Sequence, residues 1–275
     1  ADTAELLDDA DAAQSYRILA AQIRTRFNEE FYDGNGEYKN NGSCQTANAM
    51  ALVTGLCEPE NEQAVLDAMV ADMKARDYQQ TAGDIGFHYL VEALGTYGKN
   101  EVLYKNMNRR EEGSYGYIVD RGWTALPEAW DANTRVSMNH CMLGHGQQWF
   151  YAHVLGIRQA DDSVAFRKIV IKPAFETGLE WARGHYDSAS GRIRVDWKQN
   201  DTELLLALGI PPNTTAMVYV PTDRAAAVTE SGNPVSQAEG VKFLRMEKGR
   251  AVFAVASGSY TFKSSALKRF RHVHR

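Results

Sequence analysis

The chain of 275 residues is 44% hydrophobic and 24% charged, a composition typical of folded domains rather than of disordered segments. Its formal net charge of −5 argues against nucleic acid and against an anionic membrane surface as partners, since both attract basic proteins. No stretch of about 20 apolar residues is available to span a bilayer, and the acidic first residues lack the apolar segment of a signal peptide. The length allows one large domain or two of ordinary size.

Apolar residues recur at helical spacing in the first part of the chain, up to Gly156. This spacing predicts about six helices arranged as successive antiparallel hairpins. It is clearest at residues 16–27, 65–73, 85–94 and in a final long helix over 139–155. A further helix is predicted from the N-cap Ser43 to about Leu56, ahead of the stop signal at Pro59. Glycine-rich connectors at 33–36 and 113–116 separate the helices.

After Gly156 the period changes to the two-residue alternation of strands. Strand-like segments lie at residues 166–172, 192–197, 203–208, 216–220, 251–255 and 258–262. Turn signals between them, such as Pro-Pro-Asn at 211–213, have a spacing that predicts an antiparallel β-sandwich. We therefore predict a helical domain over 1–158, a β-sandwich domain over 159–264 and a basic tail over 265–275, which is expected to be disordered.

The cysteine and histidine patterns predict no metal site and no cofactor. Three cysteines, Cys44, Cys57 and Cys141, lack C-x-x-C spacing, which argues against a disulfide framework and against zinc. They are expected to be buried free thiols. The seven histidines include no H-E-x-x-H motif, although His140 and His145 lie five residues apart.

The densest group of chemically suggestive residues lies between Ser114 and Trp149, where aromatic side chains are interleaved with carboxylates, amides and histidines. Such a mixture suits a sugar site, because pyranose rings pack on aromatic faces while carboxylates and amides bind the hydroxyls. Glu128 directly follows Pro127 and lies outside any amphipathic pattern, so we predict it on a loop between helices. For such a glutamate a solvated charge or a helix cap is the commoner role, and Trp130 could equally be a core residue.

Three motifs follow one another in a fixed order: Gly-Tyr-Ile-Val at 116–119, Gly-Trp-Thr-Ala-Leu-Pro-Glu-Ala-Trp-Asp at 122–131, and Ser-Met-Asn-His at 137–140. Together they resemble the bacterial α-L-rhamnosidases of glycoside hydrolase family 78. The resemblance implies half of an (α/α)6 toroid followed by an antiparallel β-sandwich, and a rhamnose-containing glycan or glycoside as partner. It implies that Glu128 is the general base of an inverting glycosidase and deprotonates the water that attacks the anomeric carbon. It further implies sugar binding by His140, Trp130, Asp131, Trp123 and Asn139.

The family's general acid lies in an acidic, arginine-containing motif that has no counterpart in this sequence. A complete toroid needs twelve helices, and about half of them are predicted here. We therefore expect a C-terminal fragment of a longer enzyme with little or no activity, because general acid catalysis contributes about 10²–10⁴-fold. The sequence departs from the family pattern at Pro127, at Asp84 and in the short spacer before Ser137, which leaves the exact substrate open.

Two other functions are compatible with these residues. Another toroid glycosidase, such as an unsaturated uronyl hydrolase-like or phosphorylase-like enzyme, would also use loop carboxylates and aromatic sugar platforms. A non-catalytic carbohydrate-binding protein would instead use sandwich aromatics such as Trp181, Tyr186 and Trp197, although aromatics at strand spacing are more often core residues. Oligomeric state and compartment are left open, with a periplasmic or secreted location slightly favoured.

Overall fold

The computed structural model describes residues 1–39, 42–131 and 135–265. The chain divides into two compact units, Ala1–His145 and Gly146–Arg275. Helices build the first unit, and two β-sheets build most of the second. No helix in the described ranges is long and apolar enough to cross a membrane. The domain boundary at residue 158 stays a prediction, and the tail predicted over 265–275 lies outside the described residues apart from Ser265.

The first unit holds four of the predicted helices and three that the apolar pattern did not indicate. Its helices are α1 (Asp2–Leu6), α2 (Ala10–Phe31), α3 (Gln45–Val53), α4 (Glu62–Ala75), α5 (Asp84–Thr96), α6 (Asn100–Asn108) and α7 (Tyr115–Asp120). The helices predicted at 16–27, 65–73 and 85–94 are confirmed within α2, α4 and α5. The connector predicted at 113–116 is wrong in its second half, because the Ser114 hydroxyl accepts from the Tyr117 amide at 3.2 Å and caps α7.

The helix predicted over 43–56 is shorter at both ends. It begins at Gln45, with Cys44 in the cap position and no side-chain hydrogen bond at that cap. It ends at Val53, and Gly55 follows in the left-handed conformation with φ +69°. A left-handed glycine at this place terminates a helix, because it turns the chain away from the helical path.

The core of the helical unit lies between α3, α4 and α5. Apolar side chains of α4 and α5 are completely buried there, among them Met69, Met73, Leu90 and Leu94. The apolar face of α2 behaves differently, since Tyr16, Leu19 and Ile23 are 55%, 49% and 51% exposed. Helical spacing therefore predicted α2 correctly without determining whether its apolar face is buried.

A buried asparagine ties the loop before α3 to α4. Asn48 is completely buried, and its amide nitrogen donates to the carbonyls of Gly36 at 2.8 Å and Val65 at 2.9 Å. Its side-chain oxygen accepts from the Tyr38 amide at 3.0 Å. Gly36 has φ +104°, and a Cβ there would lie 2.8 Å from the Ala64 carbonyl oxygen, so this close approach requires glycine. Polar contacts therefore hold this loop in place.

The final long helix predicted over 139–155 is confirmed only in its second part and is wrong in its first. Its first part forms turns, and only a short helix α8 (Gly146–Trp149), followed by a π-helical segment (Phe150–Val154), is helical. The physical reason is that the backbone bonds to another segment at this point, since the His140 amide donates to the Leu126 carbonyl at 2.8 Å. Glycines at positions 144 and 146 also lower the helix propensity of this stretch.

Two sheets form the second unit. Its strands are β1 (Ile157–Gln159), β2 (Lys168–Ile171), β3 (Trp181–Ser188), β4 (Gly191–Gln199), β5 (Glu203–Ile210), β6 (Thr215–Pro221), β7 (Thr229–Glu230), β8 (Asn233–Pro234), β9 (Val241–Glu247), β10 (Arg250–Val255) and β11 (Gly258–Ser265). One sheet has the order β1-β2-β6-β10-β9 and the other β3-β4-β5-β11-β7-β8. Neighbouring strands run antiparallel except β2 and β6, which are parallel.

Each predicted strand segment is confirmed, in β2, β4, β5, β6, β10 and β11. These strands carry buried side chains of the sandwich core, including Val195, Trp197, Leu206, Val218, Phe253 and Phe262. The pattern missed β3 and β9, which are edge strands with mostly exposed side chains. An edge strand exposed to solvent lacks the clear apolar alternation that marks a half-buried strand.

Candidate active site

Two short segments after α7 lie antiparallel and carry most of the predicted site residues. The Glu128 amide donates to the Ser137 carbonyl at 2.8 Å, and the His140 amide donates to the Leu126 carbonyl at 2.8 Å. These two hydrogen bonds join the segments and hold Glu128 beside the 137–140 motif. The prediction that Glu128 lies on a loop between helices is confirmed, since α7 ends before it and α8 begins well after it.

The Glu128 carboxylate is exposed and is held by the backbone opposite. Its Oε2 accepts a hydrogen bond from the Ser137 amide at 3.1 Å. The preceding Pro127 is buried and restricts the conformation of the residue before it to extended backbone. A carboxylate that is positioned from one side and open to solvent on the other has the geometry needed to accept a proton from water.

Trp130 is hydrogen-bonded to the segment just before α5. Its indole nitrogen donates to the Ala82 carbonyl at 3.0 Å. Its ring meets Phe87 edge-to-face with centroids 4.9 Å apart, and the ring of Tyr115 lies 5.8 Å away. Half-buried and held on these sides, Trp130 forms part of a rigid aromatic wall behind the Glu128 loop.

His140 and Asn139 follow Ser137 on the second of the paired segments. The Nδ1 atom of His140 accepts from the Met142 amide at 3.4 Å, so in a neutral ring the proton lies on Nε2, which is then a hydrogen-bond donor. The Asn139 side chain is exposed, and its backbone amide donates to the Ser137 hydroxyl at 3.3 Å. Asn139 and His140 therefore offer side-chain hydrogen-bond donors on the segment that pairs with the Glu128 segment.

Trp123 belongs to a separate group of side chains. Trp123 packs edge-to-face on Tyr117 with centroids 6.3 Å apart, and the Arg121 guanidinium lies 4.3 Å and 5.5 Å from the Tyr117 and Trp123 rings. These three side chains form an aromatic and cationic group of their own. Asp131 is exposed at the end of the described range 42–131. The paired segments thus bring together Glu128, Asn139 and His140, with Trp130 anchored behind them.

The residues that support Trp130 and the His140 segment were not predicted from the sequence. The Tyr115 hydroxyl donates to the Leu143 carbonyl, and the Tyr115 ring packs on Phe87. Tyr115 therefore links the first turn of α7 to the segment of Leu143 and to α5. The rings of His88 and His145 lie 4.8 Å apart. Burial, with a smaller contribution from His88, holds the pKa of His145 below its usual range and favours a neutral ring. These contacts join residues far apart in sequence, so no local pattern could have revealed them.

Metal binding finds no support in the described ranges, where no three histidine, cysteine, aspartate or glutamate residues are grouped as ligands. Cys44 and Cys57 are buried free thiols, as expected, and burial raises the pKa of Cys44 to about 12. The same expectation is wrong for Cys141, which is exposed because it lies in a surface turn rather than in a buried helix.

Comparison with protein families then decides what kind of scaffold this is. The model of the bacterial α-L-rhamnosidase six-hairpin glycosidase domain matches residues 1–154, and that of the bacterial α-L-rhamnosidase C-terminal domain matches residues 156–234. The chain belongs to the bacterial α-L-rhamnosidase family. Its membership confirms the resemblance and the fold class predicted from sequence, half of an (α/α)6 toroid followed by a β-sandwich.

Known α-L-rhamnosidases match nearly the whole of this chain with a small part of their own. An α-L-rhamnosidase of Streptomyces avermitilis is 31% identical over 259 residues, which cover 91% of this chain and 24% of that protein. A crystal structure of Streptomyces avermitilis α-L-rhamnosidase complexed with L-rhamnose has a TM-score of 0.83 at 30% identity, covering 94% of this chain and 25% of that one. The α-L-rhamnosidase structure from Dictyoglumus thermophilum has a TM-score of 0.85 at 28% identity, covering 96% and 30%. The rhamnosidase-family chain described here therefore spans about a quarter of the length of these relatives.

Proposed function

We propose that this chain carries the general-base part of an inverting α-L-rhamnosidase, with Glu128 as the base. The observation that supports it most directly is the antiparallel pairing of the Glu128 and 137–140 segments. That pairing holds an exposed carboxylate beside Asn139 and His140. Family membership supports glycoside hydrolysis as the class of chemistry.

Glu128 acts by removing a proton from the water that attacks the anomeric carbon. In an inverting glycosidase the base and the acid lie about 6.5–9.5 Å apart, so that a water molecule fits between the base and the sugar. Glu128 has a solvent-facing carboxylate and a backbone donor that steadies one oxygen, which suits that task. The general acid that protonates the leaving oxygen is contributed from outside these 275 residues.

The sugar is proposed to be a terminal α-L-rhamnoside. The L-rhamnose complex of the Streptomyces avermitilis enzyme supports this class of substrate. In this chain the Nε2–H of His140 and the amide of Asn139 are suited to the sugar hydroxyls, and the Trp130 ring to an apolar sugar face. Trp123 and Asp131 complete the proposed set of sugar-binding residues.

A substrate whose leaving group needs no proton separates the base from the acid. Fluoride departs from α-L-rhamnosyl fluoride as an anion, whereas the leaving oxygen of methyl α-L-rhamnoside would depart as a poorly stabilised alkoxide and must be protonated by the general acid. For the 275-residue chain we expect fluoride release with β-L-rhamnose as the first product, measured by a fluoride electrode and by NMR. We expect little or no hydrolysis of the methyl rhamnoside, because the acid is missing.

Glu128→Gln should lower the rate of fluoride release by about 10²–10⁴-fold, since the base would be lost. Glu112→Gln is the matched control, because Glu112 is likewise an exposed glutamate in the helical unit and should leave the rate unchanged. The proposal would be rejected by an α-anomer as first product, by an unchanged rate in Glu128→Gln, or by no fluoride release from the unmodified chain. Hydrolysis of the methyl rhamnoside that Glu128→Gln abolishes would refute the proposal that the general acid is missing from these 275 residues.

A further inference from the structure

A cavity of about 420 Å³ lies on the five-stranded sheet, on the face opposite the sandwich core. Residues that alternate with the buried core positions of β1, β2 and β6 line it, together with the loop after β1. The lining includes Arg158, Asp161, Val170, Lys172, Met217 and Tyr219. Strand register places Arg158 beside Val170, and Val170 beside Met217. Its volume lies within the roughly 300–1,000 Å³ typical of small-molecule sites.

Arg158 is a charged side chain that lines this cavity and has no partner among residues 1–39, 42–131 and 135–265. Its guanidinium forms no hydrogen bond or ion pair with any residue of the described ranges, and its Nε atom is inaccessible to solvent. An arginine keeps its charge, so this guanidinium is a cation with no counter-ion among the described residues. The planar guanidinium fork matches the two oxygens of a carboxylate or sulfate group, which would pair with the two terminal nitrogens of Arg158 rather than with its inaccessible Nε.

Lys172 adds a second positive charge that is only partly compensated. Its ammonium nitrogen lies 4.7 Å from the centroid of the Tyr219 ring. Burial, reinforced by the nearby charges of Arg250 and Arg158, lowers the pKa of Lys172. Its carboxylate partner, Glu247 at 3.7 Å, is shared with Arg245 at 2.6 Å. Arg158 and Lys172 therefore place two positive charges on one side of the cavity, while Asp161 and Asp162 lie in the loop that also lines it.

The remaining lining suits a sugar better than a bare ion. Met217 and Val170, which are half-buried, supply apolar surface against which a sugar ring can pack. Asp162 is engaged by Lys168 at 2.5 Å, whereas Asp161 is exposed and available as an acceptor for hydroxyl groups. Such acceptors would repel a free anion but would bind the hydroxyls of a sugar that also bears one.

We infer that this cavity, which we call the Arg158 pocket, binds an acidic sugar through its carboxylate or sulfate group. Arg158 holds two oxygens of that group, and Lys172 contributes a further charge-assisted hydrogen bond. The site lies within the β-sandwich unit and is independent of Glu128 chemistry, so it is tested by binding rather than by hydrolysis. It gives the sandwich a binding role for acidic glycans that the proposed rhamnosidase activity does not require.

Isothermal titration calorimetry on the whole chain at low ionic strength tests the inference, because screening weakens such contacts. The ligands are sodium glucuronate, glucose 6-sulfate, glucose and sodium sulfate. We expect at least one of the acidic sugars to bind about tenfold or more tightly than glucose and than inorganic sulfate. Arg158→Gln should weaken that binding about tenfold or more, and Lys172→Met by a smaller factor. Arg194→Gln, an exposed strand arginine of the other sheet, should not change it.

Arg158→Lys is a second variant that retains the charge while losing the planar fork, so we expect intermediate affinity. Thermal unfolding verifies that each variant is folded. If Arg158→Gln shows no cooperative unfolding transition, the affinity of Arg158→Lys for the acidic sugar is used in its place. The inference fails if neither acidic sugar binds, if inorganic sulfate binds as tightly as both, or if the arginine variants bind as the unmodified chain does.

Discussion

Replacing Asn48 by alanine removes the polar contacts that hold the loop before α3 against α4. Three hydrogen bonds are lost, two to the carbonyls of Gly36 and Val65 and one from the Tyr38 amide. Each such bond contributes about 1 kcal/mol net, and backbone groups left buried without a partner cost about 1–3 kcal/mol. Because Asn48 is completely buried, we expect Asn48→Ala to lower the free energy of unfolding of the helical unit by about 3–5 kcal/mol.

Urea unfolding followed by circular dichroism at the helical band measures this change, since the second unit consists largely of β-structure. The midpoint should fall while the slope of the transition is unchanged, because the surface exposed on unfolding stays similar. Asn108→Ala is the matched control: Asn108 is exposed and bonds only to the Tyr104 carbonyl of its own helix, at 3.2 Å, among the residues described. A loss below about 1 kcal/mol for Asn48→Ala would refute the reasoning, since one net hydrogen bond would account for it.

Three further changes follow from local geometry. Gly36→Ala should destabilise the helical unit more than Gly34→Ala in the same urea assay: both have positive φ, but only at Gly36 would a Cβ meet backbone, 2.8 Å from the Ala64 carbonyl oxygen. Equal losses would contradict this. Burial lowers the pKa of His153 from 6.5 to about 4 in the folded protein, so the unfolded chain binds a proton at this residue more readily. The free energy of unfolding therefore decreases as the pH falls from about 6.5 to about 4, by up to about 3 kcal/mol. His153→Gln should flatten this part of the pH profile of the β-sandwich unit, and an unchanged slope would exclude His153 as its source. Trp130→Phe retains the ring but loses the bond to the Ala82 carbonyl, so backbone amide exchange in the Glu128 loop should accelerate by about tenfold, whereas Trp123→Phe should leave that loop unchanged.

Helix and strand identity could be predicted where local pattern and burial agree. α4 and α5 have apolar residues at helical spacing that are buried between neighbouring helices, and β4 and β5 alternate because one side faces the sandwich core. The segment 139–155 has a similar local pattern, yet its first part is turns because the His140 amide bonds to the distant Leu126 carbonyl. Local spacing carries no information about such a competing partner.

Short, contiguous motifs around Glu128 and His140 were sufficient to predict the family of this protein and the residues on which its chemistry is proposed. Which of those residues lie together depends on contacts between segments that are distant in sequence, and these appear only in the folded structure. Glu128 is held by the Ser137 amide, Trp130 is fastened to Ala82 on another part of the chain, and Trp123 packs in a separate group. The Arg158 pocket, too, can be recognised only in the folded structure. Its side chains come from strands adjacent in the sheet but separated in sequence, and what distinguishes Arg158 is the absence of a partner among the described residues, which no residue pattern records.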